Sequence, residues 1–448
     1  MNYKDHFKKN ISLAFPVMLS QMGQVMVGVA DSVMVGRVGV EPLAAASLAN
    51  SIFYFIFMFG VGVSYAITPL VAKADSIGDH RESSVLIKHG LLTNMVVALA
   101  LFLLLMLTTQ LIHLLNQPAE VVVLARPYLI VIGISLLPFM LFQTFRQFCE
   151  GLSLTKVPMY FTVAANVINI GLNYILIFGK LGFEPMGLMG AGWASLIARF
   201  LMGVGMAAYV LYARKFKPYW EGFQVVRIKV ERIKKLLNLG IPVGMQFIFE
   251  IGAFAAAAIM VGWLGAEPLA AHQIAINLSS LSYMMASGIS AAATVRVGNQ
   301  MGRRDIPMLI KAGRSSFVMG ATFMAVCGLI FITGKELLPS LYIDDESVIN
   351  IAASLLIIAA FFQISDGLQV VSLGALRGME DVKIPTIITL FAYWVVGLPV
   401  GYLFGFHWQF GIEGIWYGLL IGLSLSAILL LLRFHFLTQK KLSYFSKV

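Results

Sequence analysis

Long apolar stretches alternate with short polar connections along the whole chain. Twelve can be drawn, at about 11–35, 46–72, 89–112, 124–146, 157–179 and 188–212, then 238–262, 270–295, 314–335, 349–373, 384–405 and 412–435. Each is long enough to cross a hydrocarbon core of ~30 Å at about 1.5 Å per residue. No clean helical period stands out within them, as expected for helices that face lipid on one side and protein on the other. A membrane barrel would instead show strands of about 10 alternating residues. The pattern predicts an all-α membrane protein with twelve transmembrane helices.

Composition agrees. Hydrophobic residues make up 59% of the 448 residues, charged residues 12%, and mean hydropathy is +0.85. Soluble domains run at about 45–50% and about 25%. A soluble enzyme, a nucleic-acid module and a secreted disulfide scaffold are therefore excluded. Cys149 and Cys327 both lie in apolar segments and read as small packed hydrophobes. There is no HExxH pair and no GxxxxGK[ST] loop, so neither a zinc site nor ATP is indicated, and no cofactor is expected. The start, MNYKDHFKKN, is polar, and the apolar run behind it is longer than a signal-peptide core. It reads as a retained first span.

Basic residues set the orientation. Of the 32 Lys and Arg, 27 fall before the first span, in alternate connections, or at the C-terminal end. The opposite connections hold only Arg37, Arg126, Lys180 and Lys335, and Arg199 lies within a span. By the positive-inside rule both termini are cytoplasmic, which in a bacterium means a multi-pass protein of the inner membrane. The net charge of +10 follows from these loops and needs no nucleic acid. The same loops face anionic lipid headgroups. The longest connection, 213–237, carries eight basic residues. It is either a lipid-binding or regulatory segment or simply a linker.

The two sides of that linker resemble each other. VGRVGVEPLAA at 35–45 matches VGWLGAEPLAA at 261–271, and 35–79 against 261–305 gives 16 identities in 45 positions. Gly151, Lys156 and Pro158 match Gly378, Lys383 and Pro385; Gly187 and Gly190 match Gly411 and Gly414. Six spans are thus duplicated, giving an N-lobe at 1–212, the linker at 213–237 and a C-lobe at 238–448. Six spans per repeat keep both lobes in one orientation, so their pseudo-two-fold axis is expected along the membrane normal. Pro16 and Pro242 sit at the same offset, a few residues inside the first helix of each half. Each is either a tolerated first-turn proline or a hinge.

Carboxylates within spans are the best evidence for mechanism, because each costs free energy to insert. Asp31 is ~30 Å along the first helix, Glu250 ~20 Å into the seventh span, and Asp366 ~25 Å from the outer end of the tenth. Such groups suit a proton, or, ionised, Na⁺. Repeat equivalents are Ala257 for Asp31, Gln24 for Glu250 and Phe139 for Asp366. The halves therefore carry different acidic sites. In the fifth span Asn169 and Asn173 share a helix face. Their amides either complete an oxygen shell beside Asp31 or bond neighbouring helices. Gln24, Gln246, Gln273 and Asn277 are candidate cavity-lining residues.

Together, the twelve spans in two halves, Pro16, Asp31, the two G-x-EPLAA turns, Glu250 and Asp366 resemble the multidrug and toxic compound extrusion (MATE) family, in its NorM-type branch. The resemblance covers nearly the whole chain. It implies a secondary active antiporter, not an enzyme, that expels amphipathic, mostly cationic small molecules in exchange for Na⁺ or H⁺ by alternating access. It implies an N-lobe coupling site of Asp31, Asn169 and Asn173, with Ala191 and Ser195 matching the small and hydroxyl residues of the sixth span. Glu250 and Asp366 carry over as the C-lobe site. A tyrosine common one turn before the span-ten aspartate is Phe362 here, whose ring could still face a cation. Na⁺, if it is the ion, is expected at Asp31 or at Glu250 and Asp366. The expected partners are small molecules and membrane lipid, with the protein a monomer. A lipid-linked precursor flippase of related fold is the alternative. It would call for basic residues along the spans, which hold little beyond Arg199.

Overall fold

The computed structural model describes residues 3–115, 117–220 and 227–445. Among these there are helices and no strands. The first half comprises α1 (Tyr3–Gly36), α2 (Val40–Ser64), α3 (Ile67–Asp75), α4 (His80–Leu111), α5 (Ala119–Ile134), α6 (Leu136–Gly151), α7 (Lys156–Phe178) and α8 (Leu188–Tyr212). The second comprises α9 (Val230–Gly262), α10 (Ala266–Arg303), α11 (Ile306–Thr333), the short α12 (Leu337–Ser340), α13 (Glu346–Gly378), α14 (Lys383–Leu390), α15 (Leu398–Tyr402) and α16 (Gly411–Phe445).

Eleven helical segments among the described residues are long and apolar enough to cross a membrane. The twelfth span is α10, 38 residues long but carrying His272, Gln273, Asn277 and several serines. Three of its hydroxyl groups find partners on a neighbouring helix. Ser282 donates to Gln363 at 2.9 Å, Ser290 to the Val370 carbonyl at 2.6 Å, and Thr294 to the Gly374 carbonyl at 2.9 Å, all on α13. A polar helix can cross hydrocarbon only when buried against protein in this way.

Prolines explain where spans break. Proline has no N–H, so the carbonyl four residues earlier is freed. Pro69 accounts for the interruption between α2 and α3 at Tyr65, and Pro138 for that between α5 and α6 after Ile134. In the eleventh span, π-helical turns at Phe391–Gly397 and Leu403–His407 flank α15, with Pro399 at its start. By contrast α1 and α9 run unbroken through Pro16 and Pro242.

The repeat is visible in detail. Asp79 and Asp305, equivalent in sequence, cap α4 and α11 by accepting from the backbone N–H groups of Glu82 and Met308. Gly190 and Gly414 are also equivalent. A Cβ at either would lie 2.7 Å from the Leu176 backbone or 2.5 Å from the Phe404 backbone. Only glycine permits these close crossings.

The helices gather into two compact units. One holds Leu19–Gly244; the other holds the residues up to Met18 and those from Met245 onward. The boundary thus falls within α1 and α9, two residues after each repeated proline. In the unit that contains the start of α1, Arg296 is buried, donating to the His6 carbonyl at 2.9 Å and to Asn10. Asn10 in turn donates to Ser315 and Ser316 at 3.3 and 3.2 Å. In the other unit the start of α9 is held at a more exposed place. Arg232 pairs with Glu82 at 2.5 Å, and the Lys229 N–H donates to His89 at 2.9 Å. The first part of the predicted linker also rests on this unit. Phe216 is fully buried, and the Tyr219 hydroxyl donates to Asp75 at 2.7 Å. Residues 221–226 of the linker lie outside the described residues.

Candidate functional site

In the Leu19–Gly244 unit, α1, α7 and α8 bring together four of the predicted residues. The Asn173 amide donates both to the Asp31 carboxylate and to Asn169 Oδ1, the latter at 3.0 Å. Asn169 donates to Ser195 Oγ at 3.3 Å. The i, i+4 spacing of the two asparagines aims both side chains at one line of contact. Asn169, Asn173 and Ser195 are buried, and Asp31 is half-buried. Asn173 Oδ1 is buried without a hydrogen-bond partner among the described residues. A carboxylate, a free amide oxygen and a hydroxyl form an oxygen-rich set suited to a hard cation. Ala191 is buried as well, packed in an apolar cluster with Val35, Ala45 and Tyr128.

The other unit holds Glu250 on α9 and Asp366 on α13, both buried, at 7% and 4% exposure. Asp366 feels the charge of Glu250, and Glu250 that of Arg377. Neither accepts a hydrogen bond or forms a salt bridge among the described residues. An ionised carboxylate left so is costly, so the pair is suited to taking up a proton or a cation. Phe362 is buried one turn before Asp366, but its ring faces Phe254 and Trp416, with centroids 6.1 and 6.0 Å away. The tyrosine absent from that turn has a counterpart elsewhere. Tyr393, in the first π-helical turn, is fully buried and feels the charge of both Glu250 and Asp366. Its hydroxyl donates to Gln369 Oε1 at 3.1 Å. Sequence reasoning missed Tyr393, whose only signal was a polar aromatic near Pro399.

The weaker candidates are scattered. Gln246 is buried and donates to Thr389 at 3.3 Å. Gln273 donates to Asn277 at 3.3 Å on an exposed face of α10. Gln24 is half-buried on α1. Among the described residues no three His, Cys, Asp or Glu side chains form a metal-binding group.

The model of the MatE family matches residues 16–175 and 242–403, one segment in each half. This chain belongs to the MatE family. Curated relatives include the multidrug resistance protein NorM of Photobacterium profundum, 34% identical over 440 residues, covering 97% of this chain and 96% of that protein. NorM of Aliivibrio fischeri is 34% identical over 443 residues, covering 98% and 96%. Among solved structures, a MATE transporter in a bent conformation superposes with a TM-score of 0.90 at 19% identity, covering 99% of both chains. The eukaryotic MATE transporter AtDTX14 gives 0.87 at 21% identity, covering 98% of both. These two likenesses concern the fold. As a MatE member with eleven candidate spans and a twelfth long helix, the chain is an integral, multi-pass membrane protein of a transporter family.

Proposed function

We propose that this MatE protein exports amphipathic, mostly cationic small molecules in exchange for Na⁺ or H⁺, by alternating access. The observation that carries the reading is the pair Glu250 and Asp366, two carboxylates buried within spans that form no salt bridge among the described residues, with the charge of Arg377 acting on Glu250. The second cluster, Asp31 with Asn173, Asn169 and Ser195, supports it. The NorM names of the relatives point to drugs as cargo. Both termini are assigned to the cytoplasm, and the lobes to 1–212 and 238–448, with Pro16 and Pro242 as hinges.

The energetics limit the exchange. A membrane potential supplies about 2.3 kcal/mol per charge per 100 mV. Exporting a monovalent cation costs that same amount, so a one-for-one swap draws only on the ion gradient. Two entering charges per exported cation would also use the potential, and two acidic sites provide for that. Loading either site neutralises it, which weakens its hold on a cationic substrate and favours release.

The test is efflux of a fluorescent cationic dye from proteoliposomes under a Na⁺ gradient alone and under a pH gradient alone. Asp31→Asn and Asp366→Asn are run beside the parent. Gradient-driven efflux that falls in the variants supports the proposal, and the effective gradient identifies the ion. Efflux that persists when both sites are neutralised overturns the coupling assignment. No gradient-driven transport of any dye overturns multidrug export and favours a lipid-linked precursor flippase.

A further inference from the structure

The first turns of α1 are held by a charge that the coupling scheme does not use. Arg296, near the end of α10, is buried, and one turn of α1 supplies three acceptors to its guanidinium. The His6 carbonyl accepts at 2.9 Å, His6 Nδ1 lies 2.7 Å from the other terminal nitrogen, and Asn10 Oδ1 accepts as well. None of these is a carboxylate, and Arg296 forms no salt bridge among the described residues. Arginine has five donors and no acceptor, so the ring nitrogen that faces it must offer a lone pair. His6 is therefore docked as a neutral ring. Asn10 extends the contact to α11 by donating to Ser315 and Ser316. His6 and Asn10 are 1% and 0% exposed, so neither meets water while docked.

Protonation of His6 would set an N–H against the guanidinium and add a second cation beside it. Burial holds the ring below its ordinary pKa, and the charges of Arg296 on α10, the amino terminus, Lys311 on α11 and Lys9 on α1 add to this. A histidine lowered in this way stabilises docking above its free value of about 6.5, and that contribution is lost as pH falls below it. The place of the contact makes the loss consequential. The start of α1 belongs to this unit, and from Leu19 the helix belongs to the other. Moving one unit against the other therefore requires α1 to deform or its first turns to undock. The repeat does not supply the device twice. His6 corresponds to Arg232, Arg296 to Leu70 and Ser315 to His89. The start of α9 relies instead on the Arg232–Glu82 pair and on the Lys229 N–H that donates to His89.

We propose that His6 and Arg296 form a pH-sensitive clasp, which holds the start of α1 while His6 is neutral and releases it when His6 is protonated. With the termini assigned to the cytoplasm, the clasp responds to cytoplasmic pH. It stands apart from the carboxylates that carry the coupling, and it acts whichever ion or substrate is exchanged. Its effect on transport rests on the export reading above. A docked start makes α1 resist the rearrangement that alternating access requires, and an acidified cytoplasm lowers that resistance.

The test is amide hydrogen exchange of the purified full-length protein, read by mass spectrometry as protection factors over the first turns of α1. Between about pH 7.5 and about pH 5.5, protection in the parent is expected to fall severalfold, up to about tenfold, the ratio set by a ring of pKa about 6.5 that protonates only when undocked. His6→Gln, whose amide oxygen accepts from Arg296 at either pH, should change by less than about twofold. Arg296→Gln should be weakly protected at both values, and it carries the test if His6→Gln does not fold. Parent protection that is indifferent to pH, or that falls equally in His6→Gln, overturns the clasp. A second readout is exchange of a fluorescent cationic dye across vesicles at equal pH on both sides. Parent exchange should gain on that of His6→Gln at the lower pH. A ratio that stays constant overturns the clasp's part in transport. No dye exchange by the parent overturns export, and hydrogen exchange still decides the clasp.

Discussion

The second span breaks in the first half of the molecule and runs unbroken in the second. Pro69 interrupts it between α2 and α3, whereas α10 continues through Val295, the equivalent position. The fourth span repeats the contrast, with Pro138 against Ser365 in unbroken α13. The eleventh span reverses it. Pro399 adjoins π-helical turns, while Leu172 lies in regular α7. The duplication thus supplies a common path for the chain, and single prolines decide where backbone carbonyls are released along it. Charges diverge in the same way. Asp31 faces no counterpart but Ala257, and Glu250 none but Gln24. A symmetric scaffold carries different acidic residues in its two halves.

Making the halves alike is the sharpest way to probe that difference. Glu250→Gln installs the residue already present at Gln24. It is expected to lower gradient-driven efflux at least about tenfold, about 1.4 kcal/mol of coupling, in reconstituted vesicles. Unchanged efflux would mean that the acidic pair is structural. Val295→Pro imports the first half's break into α10. Loss of its N–H and the clash with the preceding turn should cost about 3 kcal/mol or more, read as a lower unfolding temperature in detergent. Arg296→Met leaves Asn10 Oδ1 and the His6 carbonyl without their buried donor and should cost about 2–3 kcal/mol. The corresponding attachment in the other unit is weaker. Arg232 and Glu82 are about one-third exposed, so Arg232→Met should cost no more than about 1 kcal/mol in the same assay. Equal losses at Arg296 and Arg232 would remove the distinction between a buried and a screened contact.

Much of the scaffold was legible beforehand because its signals are local. Apolar length marks a span whatever its neighbours are. An offset of 226 residues that preserves EPLAA, prolines and glycines marks a duplication. The helices extend beyond the apolar runs, as α1 does from Tyr3 rather than 11, because backbone hydrogen bonding continues where the chain leaves hydrocarbon. The acidic candidates were legible for the opposite reason: a charge in an apolar stretch is conspicuous. Tyr393 was not, since one aromatic residue among 32 phenylalanines and 15 tyrosines carries no local mark.

The sequence alone determined insertion, span number and duplication, since these follow from the transfer free energy of continuous segments and from direct comparison of the chain with itself. Tertiary structure decided which polar groups meet. Asn173 reaches Asp31 across 142 positions, and Arg296 reaches Asn10 across 286. It also decided that the first turns of α1 belong to the unit built mainly from the second half. In hydrocarbon a polar side chain must find its partner within the protein, and that partner is chosen by helix packing, which no local pattern encodes.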